Sequence, residues 1–463
     1  MSLINQTARA VRDQLAEGEI TTGDLLDALE ARIAEVDGDV NALPTLCFDR
    51  ARAQTPEVGT VLSGMPVAVK DLHDVAGVRS TQGSPIYADH VPEESDHMVQ
   101  MLEARGGVVY AMSNTPEFGA GASTFNEVFG RTHNPWNLSR SVAGSSGGAA
   151  AALVSGMAWL ATGSDMGGSL RNPASFCGCV GLRPSVARVP SGPSSDDFAT
   201  LGQSGPMARN VGDLGMFLDA MAGADPREPH AQPYPTMSYR DAAEQPAVPK
   251  RVALSVDLGG ITPVDPEVRA LVEAAARRFE ALGAVVEEAC PDYSGAREAA
   301  ETLRGVAFAT KHDNHYRNHR DKLKPDMVWN IERGHAVTGA ELVNANLIRS
   351  RMAQSHAAFF QDYDLLLSAA TVVPPFPVED RTVLECDGVT FDTYVDWLTI
   401  ASAVTLTSAP AMSLPCGFTA TGLPVGIQMV GPLRGEEVLL PFAAALEAEL
   451  GLELGPIDPR PGE

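Results

Sequence analysis

One lysine near the start of the chain is the first residue whose placement suggests chemistry. Of the five lysines in the sequence, Lys70 is the only one within the first 249 residues. It ends an apolar run in the segment Gly64 to Gly77, GMPVAVKDLHDVAG. Burial disfavours an ammonium group, so the pKa of a buried lysine falls from about 10.4 toward neutrality and the amine can serve as a general base. The alternative is a strand-end lysine paired with Asp71 or Asp74.

A loop of small residues comes next along the chain. The segment Ser141 to Gly156, SVAGSSGGAAAALVSG, places backbone N–H groups and two hydroxyls, those of Ser145 and Ser146, at the start of an alanine-rich helix. Such a turn can hold an anion or a reactive serine. It satisfies G-x-S-x-G around Ser146, but it lacks the Gly-Lys-Ser/Thr of a phosphate-binding P-loop. An ordinary glycine-rich turn with a capping serine is the alternative.

A second glycine-rich segment contains another serine that could react. It runs from Gly163 to Ser185, GSDMGGSLRNPASFCGCVGLRPS, and two glycines stand immediately before Ser169. Without side chains at those positions, a substrate carbonyl can come close to main-chain N–H donors. A nucleophile beside an oxyanion hole has this pattern, and so does a tight turn with a structural serine.

The elements that must position these residues alternate between strand and helix. Two amphipathic helices are predicted first, followed by a strand–helix–strand unit and then a second such unit with Asp265 as the N-cap of its helix. This order predicts an α/β fold with parallel strands. Residues 225–249 are rich in proline and form the best linker candidate, although strands on either side can still share one sheet. The predicted elements are helices at 4–15, 22–36, 97–105 and from 265, and strands at 65–69, 108–112, 251–256 and 284–286.

Composition excludes several classes of partner. The formal charge is -25, from 34 basic and 59 acidic residues, so the chain repels nucleic acid and anionic membranes. No apolar run approaches the ~18 residues of a spanning helix and the first residues lack a secretion signal, so we expect a cytoplasmic protein. The six cysteines are scattered, and His312, His315 and His319 read more simply as a polar helix face than as a metal site. We therefore expect no metal.

The ordered combination of the lysine and the two serine loops resembles the amidase signature family. The resemblance is dense over 64–185, and it continues in GQSGPMARNVGDL at 202–214 and in APAMSLPCGFTATGLPVGIQMVGP at 409–432. It implies an α/β fold with a large mixed central β-sheet covered by helices on both faces. It also implies a single domain over 1–463, with a catalytic signature core at 64–223 and a variable substrate-pocket region at 225–395.

The resemblance also implies a role for individual residues. Ser169 matches the nucleophile that forms the acyl-enzyme, Ser145 the intermediate serine on a cis peptide bond, and Lys70 the neutral base. The family's oxyanion hole matches the backbone amides of Met166, Gly167, Gly168 and Ser169, and its supporting positions match Ser146, Asp165 and Arg171. The family's usual Gly-Gly-Ser-Ser-Gly-Gly differs here in its first residue, which is Ala143.

The function implied by the resemblance is hydrolysis of the C–N bond of a small-molecule carboxamide or anilide, without a metal or organic cofactor. Carbamates (urethanes) and esters present the same carbonyl, so their hydrolysis is a natural extension. The alternative is the glutaminase component of a glutamyl-tRNA amidotransferase, which works within a multi-protein complex. A homodimer is compatible with the first function. Several aromatic residues hint at an apolar acyl or aryl group: Phe118, Phe125, Phe129, Phe308, Trp329, Tyr394 and Trp397.

Overall fold

A mixed β-sheet runs through the molecule, as a computed structural model describes it for residues 2–57 and 59–462. Within those residues the sheet has eleven strands, in the order β1-β3-β2-β8-β10-β9-β16-β17-β13-β11-β12. The strands, including six outside this sheet, are β1 (Thr45–Leu46), β2 (Pro66–Lys70), β3 (Val108–Ser113), β4 (Phe125–Asn126), β5 (Gly130–Arg131), β6 (His133–Asn134), β7 (Asn137–Ser141), β8 (Leu160–Asp165), β9 (Val180–Arg183), β10 (Gln203–Ala208), β11 (Arg251–Leu254), β12 (Val285–Glu288), β13 (Leu365–Ala369), β14 (Glu385–Cys386), β15 (Val389–Thr390), β16 (Ala411–Phe418) and β17 (Pro424–Val430).

Helices pack against this sheet, which gives the mixed α/β architecture that the sequence predicts. They are α1 (Ala8–Glu17), α2 (Thr22–Val40), α3 (Phe48–Ala53), α4 (His97–Ala104), α5 (Gly147–Val154), α6 (Arg171–Cys177), α7 (Val211–Met221), α8 (Tyr239–Ala243), α9 (Pro266–Ala276), α10 (Arg278–Ala281), α11 (Ala296–His319), α12 (Pro325–Ala336), α13 (Gly339–Phe359), α14 (Thr399–Thr407) and α15 (Glu436–Leu450). In the described ranges 2–57 and 59–462, none of these helices has both the length and the apolar character needed to cross a bilayer.

The two predicted strand–helix–strand units are confirmed. Strands β2 and β3, joined through α4, are parallel, and so are β11 and β12, joined through α9 and α10. The side chain of Asp265 accepts hydrogen bonds from the first turn of α9, as an N-cap residue does. Strands from before and after residues 225–249 lie in one sheet. The predicted linker also contains α8, in which Tyr239 is fully buried, so this part of the segment is packed.

The small residues at the start of α5 are required by close packing. A Cβ at Gly148 would lie 2.4 Å from the backbone nitrogen of Asn114, and one at Gly147 would lie 2.2 Å from Oγ1 of Thr124. All eight residues of the helix are buried. The helix can therefore press against the loop after β3 and bring the serines that precede it close to the end of β2.

Candidate active site

Lys70 lies at the carboxyl end of the central strand β2, and all of its side chain is buried. Every residue of the strand is buried, and the apolar stretch before the lysine provides this environment. The amine Nζ lies 2.7 Å from Oγ of Ser145, 2.9 Å from Oγ of Ser146 and 3.1 Å from Oγ of Ser164. Within residues 2–57 and 59–462, no carboxylate lies within 4.0 Å of this amine. Three hydroxyls therefore surround the lysine, and no ion pair neutralises it.

Burial lowers the pKa of Lys70 to about 7, and the negative charge of Asp165 opposes this shift more weakly. The alternative from sequence, a pair with Asp71 or Asp74, does not hold. Asp71 accepts a hydrogen bond from the Thr81 backbone at 2.7 Å, and Asp74 lies 3.6 Å from the ring of His90. Near neutral pH, a substantial fraction of Lys70 is therefore the free amine.

Three hydroxyls suit either protonation state of Lys70. An ammonium group can donate to all three, whereas an amine donates two hydrogen bonds and accepts one. Because a hydroxyl can donate or accept by rotating its hydrogen, a proton can reach or leave Nζ without movement of heavy atoms. The cluster can thus exchange a proton at little structural cost.

Ser145 and Ser146 are held in an unusual backbone conformation. The Gly144–Ser145 peptide bond is cis, and Ala143 just before it has φ 56°, in the left-handed region that favours glycine. The backbone N–H of Ala143 donates to Oγ of Ser141 at 3.0 Å, and its carbonyl accepts from Oγ1 of Thr124 at 2.8 Å. These contacts fix the loop although alanine replaces the family's glycine.

Ser169 lies on the tight turn between β8 and α6. The Asp165 carboxylate closes this turn by accepting from the N–H groups of Gly168, at 2.8 Å, and Leu170, at 3.1 Å. The Ser169 carbonyl accepts from the N–H of Ser146 at 3.2 Å, so the two serine loops are joined. In the part of the chain that the structure describes, the Ser169 hydroxyl has no hydrogen-bond partner, and the link from Ser145 to Ser169 is not formed.

The four backbone amides that the resemblance assigns to an oxyanion hole are not equivalent. The N–H of Gly168 already donates to Asp165. Among residues 2–57 and 59–462, no loop or side-chain hydrogen bond uses the N–H groups of Met166, Gly167 or Ser169. These three remain available to a developing oxyanion, whereas Gly168 is committed to the shape of the turn.

Behind the turn lies a buried ionic cluster. Asp165 is bound by Arg171, with Nη2 to Oδ1 at 2.8 Å and Nε to Oδ2 at 3.0 Å, and its backbone carbonyl accepts from Arg183. Burial raises the pKa of Asp165, but the charge and hydrogen bonds of Arg171, the charge of Arg183 and the Gly168 N–H outweigh burial and hold the pKa far below its usual range. Burial lowers the pKa of Arg183 to about 9.

Arg171 also joins the turn to distant parts of the chain. Its Nη1 donates to the carbonyl of Ala401 at 2.9 Å and to Oε1 of Gln428 at 2.6 Å, and Nη2 donates to Oγ1 of Thr405 at 3.0 Å. The C-terminal motif at 409–432 therefore meets the catalytic motif through Gln428 on β17.

A cleft opens beside the turn, with about 480 Å³ of space unoccupied by protein atoms. Its walls include residues of the turn, of α11 and of α14: Met166, Gly167, Arg297, Arg304, Leu398 and Ser402. None of the seven aromatic residues singled out from sequence lines this cleft in the described residues, and Trp397 is fully buried in the core. The segment 225–395 contributes Arg297, Arg304 and other cleft residues from its second half.

Sequence analysis missed two polar residues on β8. Oγ1 of Thr162 accepts from the backbone N–H of Lys70 at 2.9 Å, and Ser164 contacts its amine. Residues two apart on a strand face the same side, so a polar pair just before Asp165 was the available signal. On α11, the ring nitrogens of His312 and His315 lie 3.2 Å apart, and His315 contacts the Tyr87 hydroxyl at 2.8 Å. The described residues contain no group of three or more His, Cys, Asp or Glu placed to hold a metal ion.

Comparison with known proteins agrees with this architecture. The family model described as Amidase matches residues 24–440. The chain is 32% identical over 456 residues to an acylamidase of Rhodococcus erythropolis, covering 96% of this chain and 95% of that protein. It is 34% identical over 482 residues to a component of the glutamyl-tRNA(Gln) amidotransferase of Moorella thermoacetica, covering 96% and 97%. The solved structure of 6-aminohexanoate cyclic dimer hydrolase complexed with substrate superposes with a TM-score of 0.87 at 27% identity, covering 97% and 98%.

These matches extend over nearly the whole chain and define the class as hydrolases that act on C–N amide bonds. The chain belongs to the amidase signature family, as its sequence motifs indicate.

Proposed function

We propose that this chain is an amidase that hydrolyses a carboxamide or an anilide through an acyl-enzyme on Ser169. The observation that carries the proposal is the buried Lys70 amine, ringed by the hydroxyls of Ser145, Ser146 and Ser164 without a carboxylate partner. A serine hydroxyl is a weak nucleophile until a base removes its proton. A lysine that is partly uncharged near neutral pH can be that base.

In the proposed first step, Oγ of Ser169 bonds to the substrate carbonyl carbon. Its proton passes to Ser145 as the Ser145 proton passes to Nζ of Lys70. The Ser145–Ser169 link requires the Ser169 side chain to rotate toward its neighbour, and hydrogen bonds of this kind often tighten only when substrate binds. The N–H groups of Met166, Gly167 and Ser169 face the oxyanion, while Gly168 and Asp165 keep the turn in shape.

In the second step the C–N bond breaks, and the proton returns from Lys70 through Ser145 to the departing amine nitrogen. Water then attacks the acyl-enzyme ester, giving up a proton along the same route, and the acid product leaves with Ser169 restored. Carbamates and esters present the same carbonyl to the same serine, so urethane and ester hydrolysis belong to the proposal. Ser146 and Arg171 act as positioning residues.

A second candidate function is supported by the relatives named as components of glutamyl-tRNA(Gln) amidotransferase, one of which is 34% identical. In that case the same serine would release ammonia from glutamine, and partner proteins would be needed. The two candidates differ in what the purified chain does alone: an independent amidase turns over simple amides, whereas an amidotransferase component does little without its complex.

The test is a hydrolysis panel of short aliphatic amides, anilides, carbamates, esters and glutamine, with the native chain and with Ser169→Ala. We expect turnover of at least one simple amide or anilide and a loss of roughly 10⁴-fold or more in Ser169→Ala. Thr310→Ala, on the exposed part of α11, is the matched control for loss of a hydroxyl. Unchanged rates in Ser169→Ala would refute the nucleophile, and activity confined to glutamine would favour the amidotransferase function.

A further inference from the structure

Arg304 on α11 brings a positive charge close to the catalytic turn. Its Nη1 lies 4.0 Å from Sδ of Met166 and would lie 3.8 Å from a Cβ at Gly167. Both residues belong to the turn whose N–H groups are proposed to hold the oxyanion. The guanidinium therefore stands within a few bonds of the place that the scissile carbonyl would occupy.

The acidic residues of the cleft are neutralised by arginines other than Arg304. Glu301 pairs with Nε of Arg333 at 2.7 Å, and Asp396 pairs with Nη2 of Arg297 at 2.9 Å. Across residues 2–57 and 59–462, no carboxylate lies within 4.0 Å of Arg304. Its positive charge is thus uncompensated within the cleft, where desolvation makes such a charge costly.

Neutral groups hold Arg304 in place and leave hydrogen-bond donors unused. Nε donates to Oδ1 of Asn330 at 2.8 Å, Nη2 donates to the Tyr394 hydroxyl at 3.1 Å, and the guanidinium carbon lies 4.6 Å from the centre of the Phe308 ring. A guanidinium has five N–H donors, and these contacts use two of them on oxygen acceptors. The remaining donors face only the weak acceptor sulfur of Met166.

The Tyr394 hydroxyl adds one more unused donor. It accepts hydrogen bonds from Arg304 and from Nδ2 of Asn330, so its oxygen is already occupied by two donors. Its own hydrogen has no acceptor among the described residues. Arg304 and Tyr394 therefore present several N–H and O–H groups, with one positive charge, to a missing acceptor.

We infer that the substrate carries a carboxylate a few bonds from the scissile carbonyl and that Arg304, with the Tyr394 hydroxyl, binds it. A carboxylate supplies the negative charge and the planar pair of acceptors that a guanidinium fits best. The inference rests on the proposed function, since it names the substrate class of the same site. Glutamine also carries such a carboxylate, so the inference applies to both candidate functions.

Binding tests this preference independently of turnover. The Ser169→Ala chain is titrated in a calorimeter with two matched pairs: the mono-4-nitroanilide of glutaric acid against the 4-nitroanilide of pentanoic acid, and N-acetyl-4-aminobenzoate against N-acetyl-4-aminotoluene. These pairs place the carboxylate on the acyl side and on the amine side respectively. We expect the anion of one pair to bind roughly 10- to 100-fold more tightly than its neutral partner. Equal affinity within both pairs overturns the inference.

Variants locate the preference at Arg304. In the Ser169→Ala background, Arg304→Met should abolish the preference for the anion, Arg304→Lys should keep part of it, and Tyr394→Phe should reduce it a few-fold. Arg320→Met removes an equal charge from an exposed site that pairs with Glu332, so it should leave the preference unchanged. A preference that survives Arg304→Met overturns the assignment.

Turnover of the same four compounds by the native chain separates the two proposals. Hydrolysis that depends on Ser169 and is equally efficient for the anionic and neutral members refutes the inference and leaves the proposed function intact. A binding preference for the anion without hydrolysis that depends on Ser169 refutes the proposed function and leaves the recognition of carboxylates intact.

Discussion

Two buried charged centres lie side by side in this protein, and their surroundings treat charge in opposite ways. Lys70 is 0% exposed and faces hydroxyls, whereas Asp165 is 1% exposed and faces the guanidinium of Arg171. Ser164 and Asp165 are consecutive on β8 and therefore point to opposite faces of the sheet, one toward each centre. At equal burial, the neighbours decide ionisation: neutral hydroxyls let the lysine lose its proton, and arginines keep the aspartate charged.

The largest effect is expected from Lys70→Met, which keeps the length of the side chain and removes the base. Activity should fall by about 10⁴-fold, because neither serine then has a proton acceptor. The free energy of unfolding should not fall, because methionine suits an apolar strand end and no ion pair is broken. Steady-state kinetics and urea unfolding measure the two quantities. A large loss of stability would show that the lysine is structural and would break the comparison.

The opposite pattern is expected for Arg171→Met in the other centre. The substitution leaves the Asp165 carboxylate buried with one partner removed, so the free energy of unfolding should fall by about 3–5 kcal/mol. Arg251→Met is the matched control, since its pair with Glu287 is about half exposed, at 43% and 42%, and should cost less than about 1 kcal/mol. Urea unfolding of the three chains gives the comparison, and equal losses in the two variants would contradict it.

The pH dependence of kcat/KM reports the ionisation of Lys70. Its folded pKa is lowered to about 7 from the usual 10.5, and the active form is neutral. The rate constant should therefore rise about tenfold per pH unit below that value and level off above it. The unfolded chain binds the additional proton between about pH 7 and 10.5, so this group makes the free energy of unfolding rise with pH over that window. A rate constant that stays flat from pH 5 to 8 would rule out Lys70 as the base.

Ser164→Ala sharpens the comparison with a smaller effect. An ammonium loses more than a neutral amine when one hydroxyl acceptor is removed, because hydrogen bonds to charged groups are stronger. The acidic limb of the rate profile should therefore move to lower pH, by up to about one unit. Ser350→Ala on the exposed face of α13 controls for loss of a hydroxyl elsewhere. A limb that moved to higher pH would mean that Ser164 does not stabilise the charged form.

Ala143→Gly carries the smallest expected change. The residue has φ 56°, which costs alanine more than glycine, so glycine should stabilise the chain by about 0.5–1 kcal/mol in urea unfolding. Activity should stay the same, because both hydroxyls of the loop remain. A loss of stability would indicate that the buried methyl group contributes more by packing than it costs in backbone strain.

Local pattern predicted much of the fold and the residues that come together in the site. The apolar run before Lys70 predicted a buried strand, and the spacing of glycines and serines identified the two loops. Ser164 was missed because a single serine in a strand has no distinctive pattern of its own. The partners of Arg171 at 401, 405 and 428 were beyond prediction, because contacts between residues more than 200 positions apart leave no local periodicity.

The amide roles show the same boundary. Sequence and resemblance assigned four equivalent N–H groups to the turn, but one carboxylate oxygen of Asp165 occupies that of Gly168. The choice depends on the orientation of a single side chain, which is set by Arg171 and by the packing around it. The roles of Lys70, Ser145 and Ser169 remain proposals that the variants above test.

The hydrogen bonds of Arg171 to Ala401 and Gln428 also bear on how the protein is made. A ribosome delivers the lysine and both serines long before it delivers strand β17. Until that strand emerges, Arg171 lacks acceptors that it has in the finished molecule, and the turn bearing Ser169 is not fully anchored. Each nascent chain thus acquires its complete catalytic geometry late in translation, which couples competence to the arrival of the C-terminal segment.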